Sequence, residues 1–571
     1  MNDFHRRAGT GAAVGHSLRI AIVVALLAPL SACSTLQKAG DMLGVGGWFD
    51  SGSSPAITAA ELLEHVQILA SDAFGGRAPG TRGEDLTVAY LEEQFRKAGL
   101  EPGHPDGRYV QSVPLVGLRS DADLGIAVKG EPLPVQMHQD AMLISQRLEP
   151  RVALRDVPLV FAGYGVQAPE YGWDDYAGLD VRGKIVVMLV NDPQVRSADD
   201  RLDPRYFRGR AMTYYGRWTY KFEMASKLGA AGALVIHNTQ QAGYPWEVVS
   251  GSWGTENFTL DRGDGNAQRV AVEGWLREDA ARGLLEASGH SYDELLRAAA
   301  TPGFRGIELP ATASALVRNT VRRINSRNVV AAIPGTDPAL RDEWVVYSAH
   351  WDHLGTNPAL EGDSIYNGAV DNATGTGGLI EIAQALIAAP PRRSVLFLAL
   401  TAEEQGLLGA KWYAEHPLYP LERTVANINL DGLNVWGPTE DVVVVGMGQS
   451  TLEDVLEAAA AEQGRRIRPE GTPEKGFYFR SDHFEFAKVG VPALFADSGI
   501  TPRGGNQAQG EQQRADYVRH RYHKVSDEVQ PNWNLAGAVQ DLELMMRIGQ
   551  QVGNTTERPR WKPGSEFAAR R

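Results

Sequence analysis

Short apolar runs and longer amphipathic stretches alternate along the C-terminal half of the chain, after about residue 315. The apolar runs predict buried strands, and the stretches with apolar residues at helical spacing predict helices. The predicted strands are 328–333, 344–348, 395–400, 425–430, 442–445 and 493–496. The predicted helices are 375–389, 407–415, 452–463 and 535–551. Strands that alternate with helices predict an α/β fold, with a mainly parallel mixed sheet sandwiched by helices.

The region before this pattern has two parts. Two amphipathic helices are expected near its start, the second over 84–98 and ended by Gly99. Between about 140 and 310 the pattern changes, with strands expected at 159–163, 185–190 and 233–236 and a helix at 221–228. We therefore divide the globular chain into a first catalytic part and a second catalytic part, separated by a β-rich insert and followed by a disordered tail. The first catalytic part spans 56–140, the insert 141–312, the second catalytic part 313–555 and the tail 556–571.

The first 55 residues have the pattern of a leader and a tether. Three arginines precede the mostly apolar run 20–30, which is too short to span a bilayer and is typical of a secretory signal. The run ends in Leu-Ser-Ala-Cys and resembles the lipobox of bacterial lipoproteins. This implies a signal peptide over 1–33 and a lipidated Cys33, with a secretory signal and an incidental cysteine as the alternative. Ser34 implies an outer-membrane lipoprotein facing the periplasm of a Gram-negative cell, tethered through 34–55.

Length, charge and cysteine content narrow the function. The chain has 571 residues, which is too many for one core, and a net charge of −14. The acidic balance argues against a nucleic-acid partner, because phosphate binding needs a basic face. Cys33 is the only cysteine, so no disulfide can form within the chain. If Cys33 is lipidated, no thiolate remains for catalysis or metal binding.

Acidic and imidazole side chains follow the predicted strands of the second catalytic part. In an open α/β sheet, ligands bind beyond the carboxyl ends of the strands. Carboxylates that converge there repel one another unless a cation neutralises them, so the pattern predicts a metal site. The candidate residues, in chain order, are His350, Asp352, Asp371, Glu403, Glu404, Asp431 and His523.

Simpler explanations exist for each candidate taken alone. Asp371 could cap a helix, Asp431 could cap a turn, and Glu403-Glu404 could be an acidic first helical turn. His353 is expected to pack in a loop, and His520 to lie at the surface. In a metal site, however, the adjacent side chains of Glu403 and Glu404 would point in different directions. One could then bind the metal while the other serves as general base.

The ordered series resembles the di-zinc aminopeptidases of metallopeptidase clan MH, a group that also holds glutamate carboxypeptidases and glutaminyl cyclases. The resemblance covers about 58–135 and 315–555 and therefore implies the zinc exopeptidase fold. Its motifs are AHWDHLG, VDNATGTGG, TAEEQGLLG, NINLDG, SDHFEFAKVGVPAL and YHKVSDE. Within the insert, 175–185 and 225–236 resemble the protease-associated domain, which implies a substrate lid or docking surface.

Residue roles follow from this resemblance, which implies two zinc ions per chain. His350, Asp371 and Asp431 would hold one ion, and Asp371, Glu404 and His523 the other, with Asp371 bridging. Glu403 would be the general base, and Asp352 would orient His350. Tyr478 matches an oxyanion donor of some relatives, with a packed core tyrosine as the alternative. The Asp371–Asn372 peptide bond would be cis.

The implied function is a zinc exopeptidase, with an aminopeptidase as the leading form. It would hydrolyse N-terminal residues of peptides through a hydroxide that bridges the two zinc ions. A carboxypeptidase of the same fold is the nearest alternative, followed by a single-zinc glutaminyl cyclase and a non-catalytic protein like the transferrin receptor. The choice between amino- and carboxypeptidase depends on whether the pocket offers a carboxylate for a free amine or an arginine for a free carboxylate.

Overall fold

One long mixed β-sheet runs through the computed structural model, which describes residues 56–568. The helices are α1 Ala59–Leu69, α2 Arg82–Lys97, α3 Trp218–Lys227, α4 Thr239–Ala242, α5 Trp246–Trp253, α6 Glu278–Ala287, α7 Tyr292–Ala299, α8 Gly375–Ile387, α9 Leu408–Glu415, α10 Leu452–Glu462, α11 His483–Lys488, α12 Gln507–His520 and α13 Ala536–Asn554. The strands of the first part and the insert are β1 Glu101–Pro102, β2 Val110–Val128, β3 Glu131–Leu133, β4 Ala141–Ile144, β5 Arg151–Phe161, β6 Gln167–Ala168, β7 Trp173–Asp174, β8 Ile185–Leu189, β9 Gly232–His237, β10 Asn257–Leu260 and β11 Val272–Arg277. The remaining strands are β12 Ile307–Ile333, β13 Trp344–His350, β14 Gly355–Thr356, β15 Ile365–Tyr366, β16 Ser394–Leu400, β17 Thr424–Asn429, β18 Asp441–Val444, β19 Arg466–Pro469 and β20 Ala493–Ser498.

The sheet consists of two parallel blocks joined by β12. Its strand order is β19-β18-β20-β17-β13-β16-β12-β5-β8-β9-β11-β4. In the first block, β20, β17, β13 and β16 are parallel, and in the second β5, β8, β9 and β11 are parallel. Strand β12 is antiparallel to both β16 and β5. This topology confirms the predicted α/β class with a mainly parallel mixed sheet.

Both faces of the first parallel block are buried, which explains its continuous apolar runs. In β13, Val345 and Tyr347 belong to one hydrophobic cluster, and Val346 belongs to another. In β16, Phe397 and Leu398 are divided between the same two clusters. Because successive side chains of a strand point to opposite faces, the two clusters lie on opposite sides of the sheet. Helices α8 and α13 pack on β13, so the second catalytic part is a layered α/β unit.

The predicted insert, 141–312, is continuous with the rest of the sheet. Strand β2 pairs with β12 along its whole length, and β12 continues from the insert to its pairing with β16. Helices α3 to α7 lie among the insert's strands, so this region is mixed α/β in composition and not only β-rich. The long β2–β12 ribbon therefore connects the insert to the part of the sheet that carries the predicted metal ligands.

The leader predictions concern residues that lie outside the described part of the chain. These are the signal peptide 1–33 with Cys33 and the tether 34–55; residues 569–571 also lie outside it. Their predicted roles stay predictions. Among the helices of residues 56–568, none combines the length and apolar character needed to cross a membrane.

The prediction of a disordered tail over 556–571 is wrong for residues 556–568. Phe567 is fully buried, and its ring packs against those of Tyr478 and Trp561. Arg558 forms an ion pair with Glu343 at 2.6 Å. The tail has no hydrophobic periodicity, because it forms no helix or strand that would impose one. Its single buried phenylalanine and its ion pairs fix it in place instead.

Replacing Phe567 with alanine should destabilise the protein by about 3–5 kcal/mol, the usual cost of removing a buried phenylalanine ring. Denaturant unfolding followed by tryptophan fluorescence measures this change, because Trp561 contacts the ring. The matched control is Val518→Ala, at a side chain that is 55% exposed, where the change should stay within about 0.5 kcal/mol. Equal unfolding midpoints for the two variants would contradict the packed tail.

Candidate metal centre

Three neighbouring parallel strands end at the predicted site. Strand β13 ends at His350, β16 ends three residues before Glu403, and β17 ends two residues before Asp431. Strand β13 lies between the other two and is parallel to both. The carboxyl ends of the three strands therefore meet at one edge of the sheet, which brings residues distant in sequence together.

Asp371 is positioned by the turn that precedes α8. The backbone N–H groups of Val370 and Asp371 donate to the carboxylate of Asp527, at 3.2 and 3.1 Å. Asn372 donates to the carbonyl of Leu430 and accepts from the N–H of Gly432, next to Asp431. The Asp371–Asn372 peptide bond is cis, as the resemblance implies. These contacts tie the turn to the loops that carry Asp431 and His523.

The first half of the site is centred on His350, which is 1% exposed. Its Nε2 lies 3.3 Å from Asp371 Oδ1 and 3.3 Å from Asp431 Oδ1. Glu403 Oε2 lies 4.0 Å from the same nitrogen. Ser481 donates to the other oxygen of Asp431 at 2.6 Å and so fixes that carboxylate. Imidazole nitrogen and carboxylate oxygen are the donor types that zinc prefers.

The second half is centred on His523, which follows α12. Its Nε2 lies 3.1 Å from Asp371 Oδ2 and 3.1 Å from Glu404 Oε2. The two oxygens of Asp371 therefore face different histidines. His523 has a 37% exposed side chain, so the site opens to solvent on this side. The structure thus brings together all five residues predicted to be ligands.

His353 also belongs to the site, although the sequence predicts that it only packs in a loop. It is fully buried, and its Nδ1 lies 2.6 Å from Glu404 Oε1. Its Nε2 has no hydrogen-bond partner within residues 56–568. Donor atoms of His353, Asp371 and Glu404 lie within 4.8 Å of one another, as do those of His350, Glu403 and Asp431. The sequence signal that could have placed His353 in the site is its position directly after His350-Trp351-Asp352.

The electrostatics of the pocket favour positive charge. Burial raises the pKa of Glu403 well above its ordinary value, and the charges of Asp431 and Glu404 add to the increase. Burial opposes protonation of His350, but the charges of Glu403 and Asp431 outweigh it and raise the pKa of this imidazole. A pocket with this excess of buried carboxylates is stabilised by cations. The donor set therefore fits divalent metal ions such as zinc.

Asp352 supports the loop after β16. Its carboxylate accepts hydrogen bonds from the N–H groups of Glu403, at 3.0 Å, and Glu404, at 3.4 Å. The nearest atom of Asp352 to His350 Nδ1 is its backbone carbonyl, at 3.2 Å, while its carboxylate lies 3.8 Å away. Asp352 therefore positions both glutamates through their backbone. Its role in orienting His350 stays a prediction.

Arg77 is a positioning residue that sequence reasoning missed. It is buried, and its guanidinium donates only to backbone carbonyls. Two of these carbonyls belong to Trp351 and Gly368, which lie beside His350 and before Asp371. Burial lowers the pKa of Arg77 to about 10, and the charges of Asp371 and Asp352 oppose this shift. A single arginine in a glycine-rich loop carries no sequence signal for this role.

Tyr478, the predicted oxyanion donor, and Tyr522, which the sequence analysis did not single out, have different surroundings. Tyr478 is buried in an aromatic cluster with Phe479, His483 and Phe567, and its hydroxyl has no hydrogen-bond partner among the described residues. This packing favours the core alternative, and its oxyanion role stays a prediction. The ring of Tyr522 stacks on that of His523, with 3.9 Å between centroids. Partial burial and the charges of Asp371 and Glu404 raise the pKa of Tyr522. The position of Tyr522 directly before the predicted ligand His523 was the sequence signal that could have identified it.

An α/β sheet with two histidines and several buried carboxylates at its carboxyl edge defines a metal-binding α/β protein. Residues 328–546 match the family model described as Peptidase family M28. Through this stretch, which contains all five predicted ligands, the chain belongs to Peptidase family M28.

Curated relatives agree with this assignment. The chain is 33% identical over 398 residues to aminopeptidase YwaD of Bacillus subtilis, covering 69% of this chain and 66% of the relative. It is 34% identical over 109 residues to a probable zinc metalloprotease of Pyrenophora teres f. teres, covering 19% of this chain and 23% of the relative. The chain therefore spans less than two thirds of the length of each of these relatives.

A solved structure shows a similarity along most of the chain. It is an aminopeptidase from Aneurinibacillus sp. strain AM-1, 18% identical, with a TM-score of 0.46. The match covers 90% of this chain and 96% of that one.

Proposed function

We propose that the protein is a zinc-dependent aminopeptidase that binds two zinc ions and removes N-terminal residues from peptides. The observation that carries this proposal is the position of Asp371, whose two oxygens lie 3.3 Å from His350 and 3.1 Å from His523. The family match and the names of the relatives, an aminopeptidase and a probable zinc metalloprotease, support it.

The ligand assignment follows the two halves of the site. His350, Asp371 and Asp431 would hold one ion, and Asp371, Glu404 and His523 the other. When bound, zinc supplies Lewis-acid polarisation of a carbonyl and lowers the pKa of a bound water from about 15.7 to about 7. Hydrogen bonds of Asp352, Asp527 and Ser481 hold the ligands or their backbone.

We assign the proton transfer to Glu403. Its carboxylate lies beside the first half of the site, 4.0 Å from His350 Nε2, and neither Oε1 nor Oε2 contacts His523 within 4.0 Å in the described chain. It would accept a proton from the attacking water and deliver it to the leaving amine, as a general base and then a general acid. Its backbone N–H is held by Asp352, which restricts the position of the side chain.

Tyr522 lies on the open side of the site, next to His523. From there its hydroxyl would donate to the carbonyl oxygen of the substrate, where negative charge develops in the transition state. Tyr478 lies instead among buried aromatic rings that include a residue of the tail. We therefore assign the stabilisation of the oxyanion to Tyr522, and we use Tyr478, the residue first predicted for this role, as the control in its test.

Replacing Tyr522 with phenylalanine should lower kcat by about 10²–10³-fold, the usual effect of removing one oxyanion donor, while zinc content stays unchanged. Steady-state hydrolysis of leucine p-nitroanilide measures this. Tyr478→Phe is the matched control, and its kcat should stay within about threefold of wild type, because it loses only a hydroxyl that has no hydrogen-bond partner among residues 56–568. The reverse pattern would return the oxyanion role to Tyr478.

The proposed activity is tested with two kinds of substrate. Zinc-loaded protein should release p-nitroaniline from leucine p-nitroanilide, a chelator should stop the reaction, and added zinc should restore it. N-acetylated peptides with a free carboxyl terminus should remain intact. Removal of their C-terminal residue would instead identify a carboxypeptidase, and no hydrolysis of any substrate by protein with bound zinc would refute the enzymatic proposal.

A further inference from the structure

His353 contacts the second half of the site but lies too close to Glu404 to share a metal ion with it. Its side chain is fully buried, and its Nδ1 lies 2.6 Å from Glu404 Oε1. By contrast, His523 Nε2 lies 3.1 Å from Asp371 Oδ2 and 3.1 Å from Glu404 Oε2. Two donors that are each about 2.0–2.2 Å from one tetrahedral zinc ion are about 3.3 Å apart. The shorter distance is that of a hydrogen bond, in which the Nδ1–H of His353 donates to the carboxylate.

The imidazole ring of His353 is held in place from several sides. The backbone N–H of this residue donates to the carbonyl of Arg77 at 3.4 Å. The ring packs edge-on against that of His523, with 5.8 Å between centroids. Gly368 lies so close that a Cβ atom at this position would be 2.6 Å from the His353 ring. These contacts hold the Nδ1–H donor against Glu404.

Core packing alone does not account for a histidine at this position. The Nε2 of His353 has no hydrogen-bond partner within residues 56–568. A buried polar atom without a partner costs about 1–3 kcal/mol, and a leucine would fill a similar space without this cost. Within the described chain, the hydrogen bond that the ring makes is the one to Glu404. The role of this side chain must therefore be sought in Glu404.

The hydrogen bond leaves Glu404 with one oxygen for a cation. Oε1 accepts from His353, and Oε2 faces His523. A carboxylate can bind a cation through one oxygen or through both, and the second mode needs both oxygens to be free. Bidentate binding by Glu404 would require the bond to His353 to break. Glu404 is therefore restricted to monodentate binding.

The first half of the site has the same arrangement. Ser481 donates to Asp431 Oδ2 at 2.6 Å, which leaves Oδ1 facing His350 at 3.3 Å. Since Asp371 turns one oxygen to each half, each half offers two carboxylate oxygens and one imidazole nitrogen. Three protein ligands with one open position are the set of a catalytic zinc ion, whereas manganese and calcium favour about six or more oxygen ligands.

We propose that His353 is a positioning residue that keeps Glu404 monodentate and thereby makes the second half of the site selective for zinc over divalent ions that need more ligands, such as manganese. The proposal rests on the zinc site of the proposed function. It concerns the choice of metal and does not require hydrolysis, so metal binding alone can test it.

Removing the donor should weaken zinc binding at one half of the site and spare manganese. Calorimetric titration of the full chain, freed of metal by a chelator, gives dissociation constants for Zn²⁺ and Mn²⁺. In His353→Leu, one Zn²⁺ should bind about 10–100-fold more weakly, the usual effect of losing a group that orients a ligand. Mn²⁺ should bind at that half as tightly as before or more tightly, because both oxygens of Glu404 become free for it. The preference for zinc over manganese should therefore fall by at least about tenfold.

His353→Asn is the rescue variant. Its amide nitrogen is bonded to Cγ, as Nδ1 is in histidine, so it can donate to Glu404 and should keep the zinc preference within about threefold of wild type. His416→Leu is the matched control, because His416 is an exposed histidine after α9 and outside the site. It should leave every constant unchanged. If the leucine variant does not fold, His353→Gln, whose amide lies one bond further from the backbone, replaces it with the same expected loss.

Three results would overturn the proposal. Unchanged constants in His353→Leu would mean that the hydrogen bond has no effect on the metal. Weakening of zinc and manganese by the same factor would mean that His353 only supports the fold of the site. An equal loss of zinc affinity in His353→Asn and His353→Leu would mean that His353 is itself a ligand.

These titrations also separate the role of His353 from the proposed function. If zinc binds but no peptide is hydrolysed, the peptidase function fails, and the zinc and manganese constants still decide the role of His353. If peptides are hydrolysed but the metal preference of His353→Leu equals that of wild type, the role of His353 fails alone. If the full chain binds no zinc, both fail.

Discussion

Glu403→Gln should lower kcat for peptide hydrolysis by about 10²–10⁴-fold and leave metal binding intact, because glutamine has the shape of glutamate but cannot accept the proton. Its amide would occupy the place of a carboxylate that lies 4.0 Å from His350, and the predicted ligands would keep their positions. The measurement is kcat for leucine p-nitroanilide, together with zinc content by elemental analysis.

The control for this variant is Glu511→Gln, at an exposed glutamate of α12. Its kcat should equal that of wild type. If Glu403→Gln hydrolyses substrate at a near wild-type rate, Glu403 is not the base. If it loses zinc together with activity, Glu403 is a ligand and the roles of the two glutamates must be exchanged.

Asp371→Ala should have the largest effect of any single change, because this carboxylate faces both histidines of the site. Its removal takes one ligand from each proposed zinc ion, so activity should fall beyond the roughly 10²–10⁴-fold expected for a missing base. Wild type should gain about 2.7 kcal/mol of stability at a free zinc concentration one hundred times its dissociation constant. The variant should lose most of this gain at the same concentration.

Thermal unfolding with and without zinc measures this difference. Asp363→Asn, at an exposed aspartate outside the site, is the control and should show the full zinc-dependent shift of wild type. A wild-type shift in Asp371→Ala would mean that the stabilising zinc binds elsewhere. Activity near wild type in this variant would contradict the bridging role directly.

Part of the site could be predicted from the sequence because three of its residues follow neighbouring parallel strands. His350, Glu403 and Asp431 each follow a buried strand, and the carboxyl ends of parallel neighbours always meet at one edge. Their convergence could therefore be inferred from apolar runs and spacing alone. Asp371 and His523 lie on a turn and after a helix, where no strand imposes a position, and it was the resemblance to the clan that assigned them.

The residues missed by sequence reasoning act through contacts that spacing does not encode. Arg77 binds only backbone carbonyls, so no partner residue marks it in the sequence. His353 and Tyr522 stand next to predicted site residues, but their side-chain directions depend on loop conformation. Phe567 is buried by rings from distant parts of the chain, which made its tail resemble a disordered terminus.

The fold was predictable where strands alternate with helices and less so where the sheet changes direction. The strands around β13 and the helices after them lie within a few residues of their predicted bounds. The length of β12, and its antiparallel pairing with both blocks, could not be read from the sequence. Polar residues occur throughout β12 because much of it is exposed on one face, and this obscures a continuous strand.

The most direct test of the central claim is the number of zinc ions bound by the site. Anomalous diffraction at the zinc edge from crystals of the zinc-loaded protein gives both their number and their positions. Two peaks should lie on either side of the Asp371 carboxylate, one next to His350 and the other next to His523. A single peak, or peaks that have no contact with Asp371, would contradict the account.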